Sequence, residues 1–324
     1  MPKKIIAVVY SDQHLHDWKT HSIGHNRLNQ TGDILKQISD DARTKKVPVL
    51  FTGDKYDNPK NLDNYLLGES LNWYNDYFKG IQTYEISGNH DMCEKNSFTY
   101  RAPSYIKMYN IFPNFHNMDF NSEETPNFMV HGIPYLNNNL GLGDALKERR
   151  QFLHKSKPNI LLLHTDLPGA KDTDGRIVDS SEEIPLLMNK FFRGFHIVLS
   201  GHIHKHQQLA SNVWMIGATY QQRSSDKGNQ MGYCYLYDDM SLKFIPIHSM
   251  PQFIEIEEGT PKPDNFNFYI EIPKKEKGEE KITKVEFSNK AGKGLLAKKY
   301  LKAKGIKSKS KRLALIRTFK SLEK

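Results

Sequence analysis

The chain has 324 residues, 38% of them hydrophobic and 26% charged, with a net charge of +9. That length and composition supply a buried core and exclude a chain disordered throughout, and the longest apolar runs, such as 5–9 and 160–163, are too short to cross a bilayer. Its two cysteines, Cys93 and Cys234, have no CxxC spacing, so they build no disulfide framework and suit a reducing, cytoplasmic compartment.

The opening residues, MPKKIIAVVYSD, place lysines before an apolar run that Ser11 and Asp12 cut short, so no secretion signal is expected. Residues 5–10 read as a buried strand. Residues 26–45 read as a helix with Leu28, Ile34, Leu35 and Ile38 on one face. A strand over 47–51, a helix over 61–79 and a strand over 83–87 follow. Further on come a strand over 128–131, a helix near 143–154 and strands over 160–164 and 195–200. This βαβα rhythm predicts an α/β fold with helices covering a sheet. After about residue 205 the strands 213–216, 233–237, 243–247 and 253–257 leave little room for helices. They predict an antiparallel second sheet packed on the first, a two-sheet β-sandwich flanked by helices. Residues 251–287, rich in Pro, Lys and Glu, read as a small β-rich cap or an exposed connector.

The tail, 288–324, reads as two helices, 290–304 and 309–322, around Gly305. It holds thirteen lysines and arginines against one acid, Glu323; its charge of +12 leaves −3 for residues 1–287. A polyanionic partner fits such a segment. A solvated helix surface is the plainer alternative.

The ends of the predicted strands carry the chemistry. Strand 5–10 runs into Ser11-Asp12-Gln13-His14, 47–51 into Thr52-Gly53-Asp54, and 83–87 into Gly88-Asn89-His90-Asp91. Strand 160–163 runs into His164, and 195–200 into Gly201-His202-Ile203-His204. Ligand sites of open α/β sheets lie past the carboxyl ends of strands, so these side chains are expected to converge. Imidazoles mixed with carboxylates suit Mn, Fe or Zn. Gly53, Gly88 and Gly201 permit sharp turns and close backbone approach. To hold two cations about 3.5–4 Å apart one carboxylate must bridge, and Asp54 is the central acid of the set. Each piece alone has a plainer reading: a Gly-His-x-His is a common surface or core pattern, and Asn89 suits a turn. The conjunction, in order and each after a strand, points to a dinuclear metal site.

The set Asp12-x-His14, Gly53-Asp54-x-x-Asp57, Gly88-Asn89-His90-Asp91, His164 and Gly201-His202-x-His204 resembles the calcineurin-like metallophosphoesterase superfamily over residues 5–245. The resemblance implies a catalytic domain over 1–250. It implies that Asp12, His14 and His204 bind a first metal, that Asn89, His164 and His202 bind a second, and that Asp54 bridges. It makes His90 the residue that faces the phosphate, with Asp91 orienting it; a turn-capping acid is the alternative for Asp91. Two cations would lower the pKa of a bridging water and neutralise phosphoryl oxygens, which implies hydrolysis of a phosphate ester.

Three features favour a nuclease, the first two by resemblance to the SbcD/Mre11-type DNA repair nucleases and their phage versions. Val130-His131-Gly132-Ile133-Pro134-Tyr135 is similar to a segment between two of the motifs, although a strand and a proline turn explain it equally. Gly217-Ala218-Thr219-Tyr220-Gln221-Gln222 is similar to the loop after the last motif. The basic tail can grip DNA phosphates. Asp57, where other members carry histidine, resembles the bacterial and phage branch. Only residues 251–287 stand where these nucleases carry a larger cap. His131, Tyr135, Gln221, Lys298, Lys299, Lys311 and Arg312 are thus expected to touch substrate. The resemblance implies an Mn-dependent exo- or endonuclease, DNA as partner and a homodimer. The apolar residues of the tail, such as Leu296, Leu301 and Leu315, imply docking on an SMC-like ATPase of SbcC/Rad50 type; a DNA-binding module and packing on the chain's own body are the rivals. A phosphatase, a cyclic-nucleotide phosphodiesterase and a non-catalytic DNA-binding scaffold are the alternatives to the nuclease.

Overall fold

The computed structural model describes residues 2–17, 27–58, 62–92, 105–136, 141–178, 184–262 and 268–272. All of these fall in one unit that ends at Ile272.

Strand β1 (Ile5–Tyr10) is apolar on both faces, because each face meets a different layer. Val8 and Tyr10 pack with Leu28, Ile34, Leu35 and Ile38 of α1 (Arg27–Lys45) and with Trp73 and Tyr74 of α2 (Asn64–Tyr77). Ile6, Ala7 and Val9 point the other way and meet Ile160, Leu162, Ile197 and Leu199 of the second sheet. The pattern repeats there. Leu161 and Leu163 turn outward to Leu142, Ala145 and Leu146 of α3 (Leu142–Arg149) and Met188 of α4 (Ile184–Phe191). The result is a four-layer α/β/β/α sandwich. Each fully buried Val, Leu or Ile contributes about 1.5–3 kcal/mol to holding it.

Along the first sheet lie β12 (Leu242–Pro246), β11 (Gly232–Tyr237), β1, β2 (Val49–Phe51), β3 (Thr83–Glu85) and β4 (Phe115–Asn117). Strands β1 to β4 run parallel, with Val8 opposite Val49 and Val49 opposite Thr83. The second sheet runs β5 (Ser122–Glu124), β6 (Met129–Ile133), β7 (Asn159–His164), β8 (Ile197–Gly201), β10 (Val213–Met215) and β9 (Gln207–Ala210). Its β6, β7, β8 and β10 are parallel.

The sandwich with helical flanks is as expected, but the sequence misassigned its sheets. Three of the four late strands build no sheet of their own. Strands β11 and β12 extend the first sheet, β11 antiparallel to β1 and β12 antiparallel to β11, while β9 and β10 complete the second. A strand's partner is chosen by which edge its apolar face can cover, and alternation along one strand does not encode that. Strands β4, β5 and β9 also escaped the sequence reading, being three or four residues long. The segment expected as a cap or connector contains β13 (Phe253–Glu257), paired in parallel with β14 (Phe268–Ile272). Among the described residues no helix is long and apolar enough to cross a membrane.

Helix α2 starts where Asp63 accepts a hydrogen bond from the amide of Leu66 at 2.7 Å. Such a cap contributes about 1 kcal/mol. The parallel strands of both sheets thereby end at one edge of the sandwich, and the loops that follow β1, β2, β3, β7 and β8 meet there.

Candidate metal centre

Those loops bring the predicted ligands together. Asp12, His14 and His204 form one group whose ligand atoms lie within 4.8 Å of one another; Asp54, His164 and His202 form another, and His14, Asp54 and His90 a third. Asp54 stands between: its Oδ2 is 3.5 Å from His14 Nε2 and 3.3 Å from His164 Nε2. Asn89 Oδ1 lies 3.1 Å from His164 Nε2 and 2.9 Å from His202 Nδ1.

The backbone is bent to allow this. Seven described non-glycine residues have positive φ, and four of them are Asp12 (50°), His14 (43°), Asp54 (60°) and His202 (88°). Such conformations cost of order 1–3 kcal/mol each and persist where surrounding contacts impose them. Gly53 turns with φ 101°, and a Cβ there would strike His164 Nδ1. A Cβ on Gly88 would overlap the carboxylate of Asp54.

Tautomers follow from the partners. His164 Nδ1 donates to the Thr52 carbonyl at 2.7 Å, so in the neutral ring the Nε2 lone pair faces Asp54 and Asn89, two further acceptors. Three acceptors meeting at one point require a cation or an added proton. His14 repeats the pattern: Nδ1 lies 3.5 Å from Asp57 Oδ1, Nε2 faces Asp12 and Asp54, and both buried nitrogens lack a hydrogen bond. Burial alone would depress both imidazoles. Carboxylates outweigh it, Asp12, Asp57 and Asp54 pushing His14 up to about 10 and chiefly Asp54 pushing His164 up to about 9. Asp54 is driven well below the usual carboxylate range, burial being overcome by His164, His14 and His90. This donor set, oxygen and imidazole nitrogen around two foci, fits divalent cations.

A further ring of acceptors backs the histidines. Asp57 lies behind His14, Asp226 Oδ2 is 3.6 Å from His204 Nδ1, and Asp166 Oδ1 is 3.1 Å from His202 Nε2. Partners of this kind fix the ring and its tautomer. Sequence reasoning missed Asp166 altogether, although it stands only two positions after His164. Tyr220 donates its hydroxyl to the His14 carbonyl, Gln222 Nε2 to the Asp12 carbonyl, and Thr219 Oγ1 to Gln13 Oε1, at 2.9, 2.8 and 2.9 Å. The 217–222 loop is thus a clamp on the first motif.

Several assignments need correction. Asp91 does not orient His90 by its carboxylate. It accepts from the amides of Asp54, Lys55, Gly88 and Tyr56 at 2.8, 2.8, 2.9 and 3.3 Å, which is the turn-capping alternative. Burial and the charge of Asp54 push it up to about 7. His90 is instead held by Nδ1 donation to the Asp57 carbonyl, and its amide donates to Asp54 Oδ1 at 2.7 Å. His131 is not at the site. It is wholly buried within β6, bonded to Ser122 Oγ at 2.8 Å and Asn159 Oδ1 at 3.1 Å, and burial pulls it down to about 4. Gln221 is also structural, because its side chain joins the amide of Phe253 at 2.6 Å and the Asn229 carbonyl at 3.0 Å. Tyr135 does reach the rim, its ring centroid 5.7 Å from that of His202. Lys298, Lys299, Lys311 and Arg312 lie outside the described residues.

A two-sheet sandwich whose strand-end loops gather Asp, His and Asn into two linked clusters defines a metallophosphoesterase-type protein. The chain belongs to the calcineurin-like phosphoesterase family, whose profile residues 7–206 match. That family uses a dinuclear metal site. No curated protein sequence matches the chain significantly. Among solved structures it is similar to a dimetal phosphatase from Danio rerio, at 12% identity and TM-score 0.47, covering 73% of this chain and 93% of that one. It is also similar to a protein described as a 5′-nucleotidase from Staphylococcus aureus in complex with alpha-ketoglutarate, at 15% identity and TM-score 0.43. That match covers 65% of this chain and 48% of the other.

Proposed function

We propose that the chain is an Mn-dependent phosphodiesterase that hydrolyses DNA, working with an SMC-like ATPase of SbcC/Rad50 type. The observation that carries the hydrolytic part is Asp54 standing between His14 and His164, each backed by its own acceptor. In this reading Asp12, His14 and His204 hold one cation, Asn89, His164 and His202 the other, and Asp54 bridges. Bound there, two divalent cations supply Lewis acidity toward phosphoryl oxygens and hydroxide at neutral pH. The protein does the positioning. His90, tied through Nδ1 to the Asp57 carbonyl, has Nε2 as the atom that can exchange a proton with a substrate oxygen. Tyr135 walls the site beside His202. The DNA part is supported by the tail charge of +12 against −3 for the rest of the chain, which suits a polyanion bound by counterion release.

The test is the full chain with manganese on linear single- and double-stranded DNA. Cleavage abolished by EDTA and by His90→Gln is expected. Turnover of p-nitrophenyl phosphate, without turnover of bis(p-nitrophenyl) phosphate or DNA, would replace the nuclease with a phosphatase.

A further inference from the structure

A cavity of about 430 Å³ opens beside the metal centre, between the loop after β1 and the loop after β2. That is within the range of small-molecule sites, roughly 300–1,000 Å³. The two loops are zipped together: the Leu15 amide donates to the Lys55 carbonyl at 2.8 Å and the Asp57 amide to the Leu15 carbonyl at 3.1 Å. The walls are therefore preformed. Leu15, Leu62 and Leu66 give the cavity an apolar side, while His16, Asn58 and the three aspartates Asp17, Asp57 and Asp63 give it a polar one. Leu15 and Leu66 are buried, and Asn58 is exposed at the mouth. Asp57 belongs to both places. Its carboxylate is 3.5 Å from His14 Nδ1 and its carbonyl holds His90.

The geometry points to this cavity as the seat of a nucleobase flanking the scissile phosphate, a subsite that rests on the phosphodiesterase reading above. Three aspartates against one histidine on the wall repel a second phosphate, so the polyanionic backbone does not run through it. A planar, uncharged ring with N–H groups at its edge suits both sides: leucines against the face, carboxylate and amide acceptors at the edge. The rim residue shared with His90 puts such a base next to the phosphate under attack.

The experiment compares two dinucleotides, deoxyadenylyl-deoxyadenosine and its analogue with abasic sugars, cleaved by the manganese-loaded full chain. The intact dinucleotide is expected to have kcat/KM about 10-fold or more above the abasic one. Leu62→Trp, which fills the cavity, is expected to bring that ratio close to one. Asn58→Ala, at an exposed position, is expected to lower it and serves if the tryptophan variant does not fold. Equal cleavage of both dinucleotides by the wild type overturns the base subsite and leaves the phosphodiesterase intact. A preference that survives both substitutions also overturns it, since the base is then read elsewhere. No cleavage of either dinucleotide, by a chain that hydrolyses p-nitrophenyl phosphate, overturns both readings together.

Discussion

Asp226→Asn probes whether the carboxylates behind the histidines tune the metal centre. Asp226 is fully buried, 3.6 Å from His204 Nδ1, and accepts from the amides of Gln222 and Arg223 at 2.8 and 3.2 Å. Asparagine keeps an oxygen for those amides but removes the charge that holds Nδ1 protonated. Losing such a partner weakens metal binding about 10–100-fold, or about 1.4–2.7 kcal/mol. Burial leaves this charge unscreened, so the larger end applies. Asp166, with its side chain 48% exposed, sits 3.1 Å from His202 Nε2, and solvent screening puts it at the smaller end. Calorimetric titration of the chelator-stripped full chain with manganese is thus expected to give an affinity loss of about 100-fold for Asp226→Asn and about 10-fold for Asp166→Asn. Burial opposes ionisation of Asp226, but His204 outweighs it and leaves the group at about 2, so the deficit is expected to stay constant through neutral pH. An Asp226→Asn chain that binds manganese as tightly as the wild type, with an unchanged unfolding midpoint, would refute this account.

Gly88→Ala is expected to lower kcat by about 10²-fold or more, because the new methyl displaces Asp54; normal turnover would mean that Asp54 need not sit where it does. Lys55 and Glu85 form a buried pair at 2.6 Å, with the ammonium 3.5 Å from the Tyr109 ring centroid. Lys55→Met is expected to cost about 3–5 kcal/mol in urea unfolding, while adding Glu85→Leu restores most of it; a double variant as unstable as the single would contradict this. His14 and His164, raised to about 10 and 9 from 6.5, are protonated at pH 7 in the metal-free chain, and ligating nitrogens must be deprotonated. Calorimetry in two buffers of different ionisation heat is expected to show about two protons released as the site fills, and none released would refute it. Because both pKa values are raised on folding, their stabilisation of the metal-free chain is complete below pH 6.5 and lost as pH rises through about 9 and 10. Its unfolding midpoint should fall across that window.

The chemistry-bearing residues were legible because strand ends are local. An apolar run that stops at Asp12, Asp54, Asn89, His164 or His202 places its polar residue at a sheet edge whatever the rest of the chain does. The faces of β1 and α1 were legible for the same reason, since alternation and helical spacing are properties of the segment itself. What the tertiary structure alone decided is everything that depends on a partner far along the chain. Strand β11 pairs with β1, more than 220 positions earlier, as well as with its neighbour β12, Asp91 serves four amides instead of His90, and His131 turns into the core. Left-handed backbone at Asp12, His14, Asp54 and His202 is likewise absent from any propensity. Such a conformation is unfavourable locally and exists because contacts from other loops outweigh its cost, and those contacts form only when the two sheets close on each other.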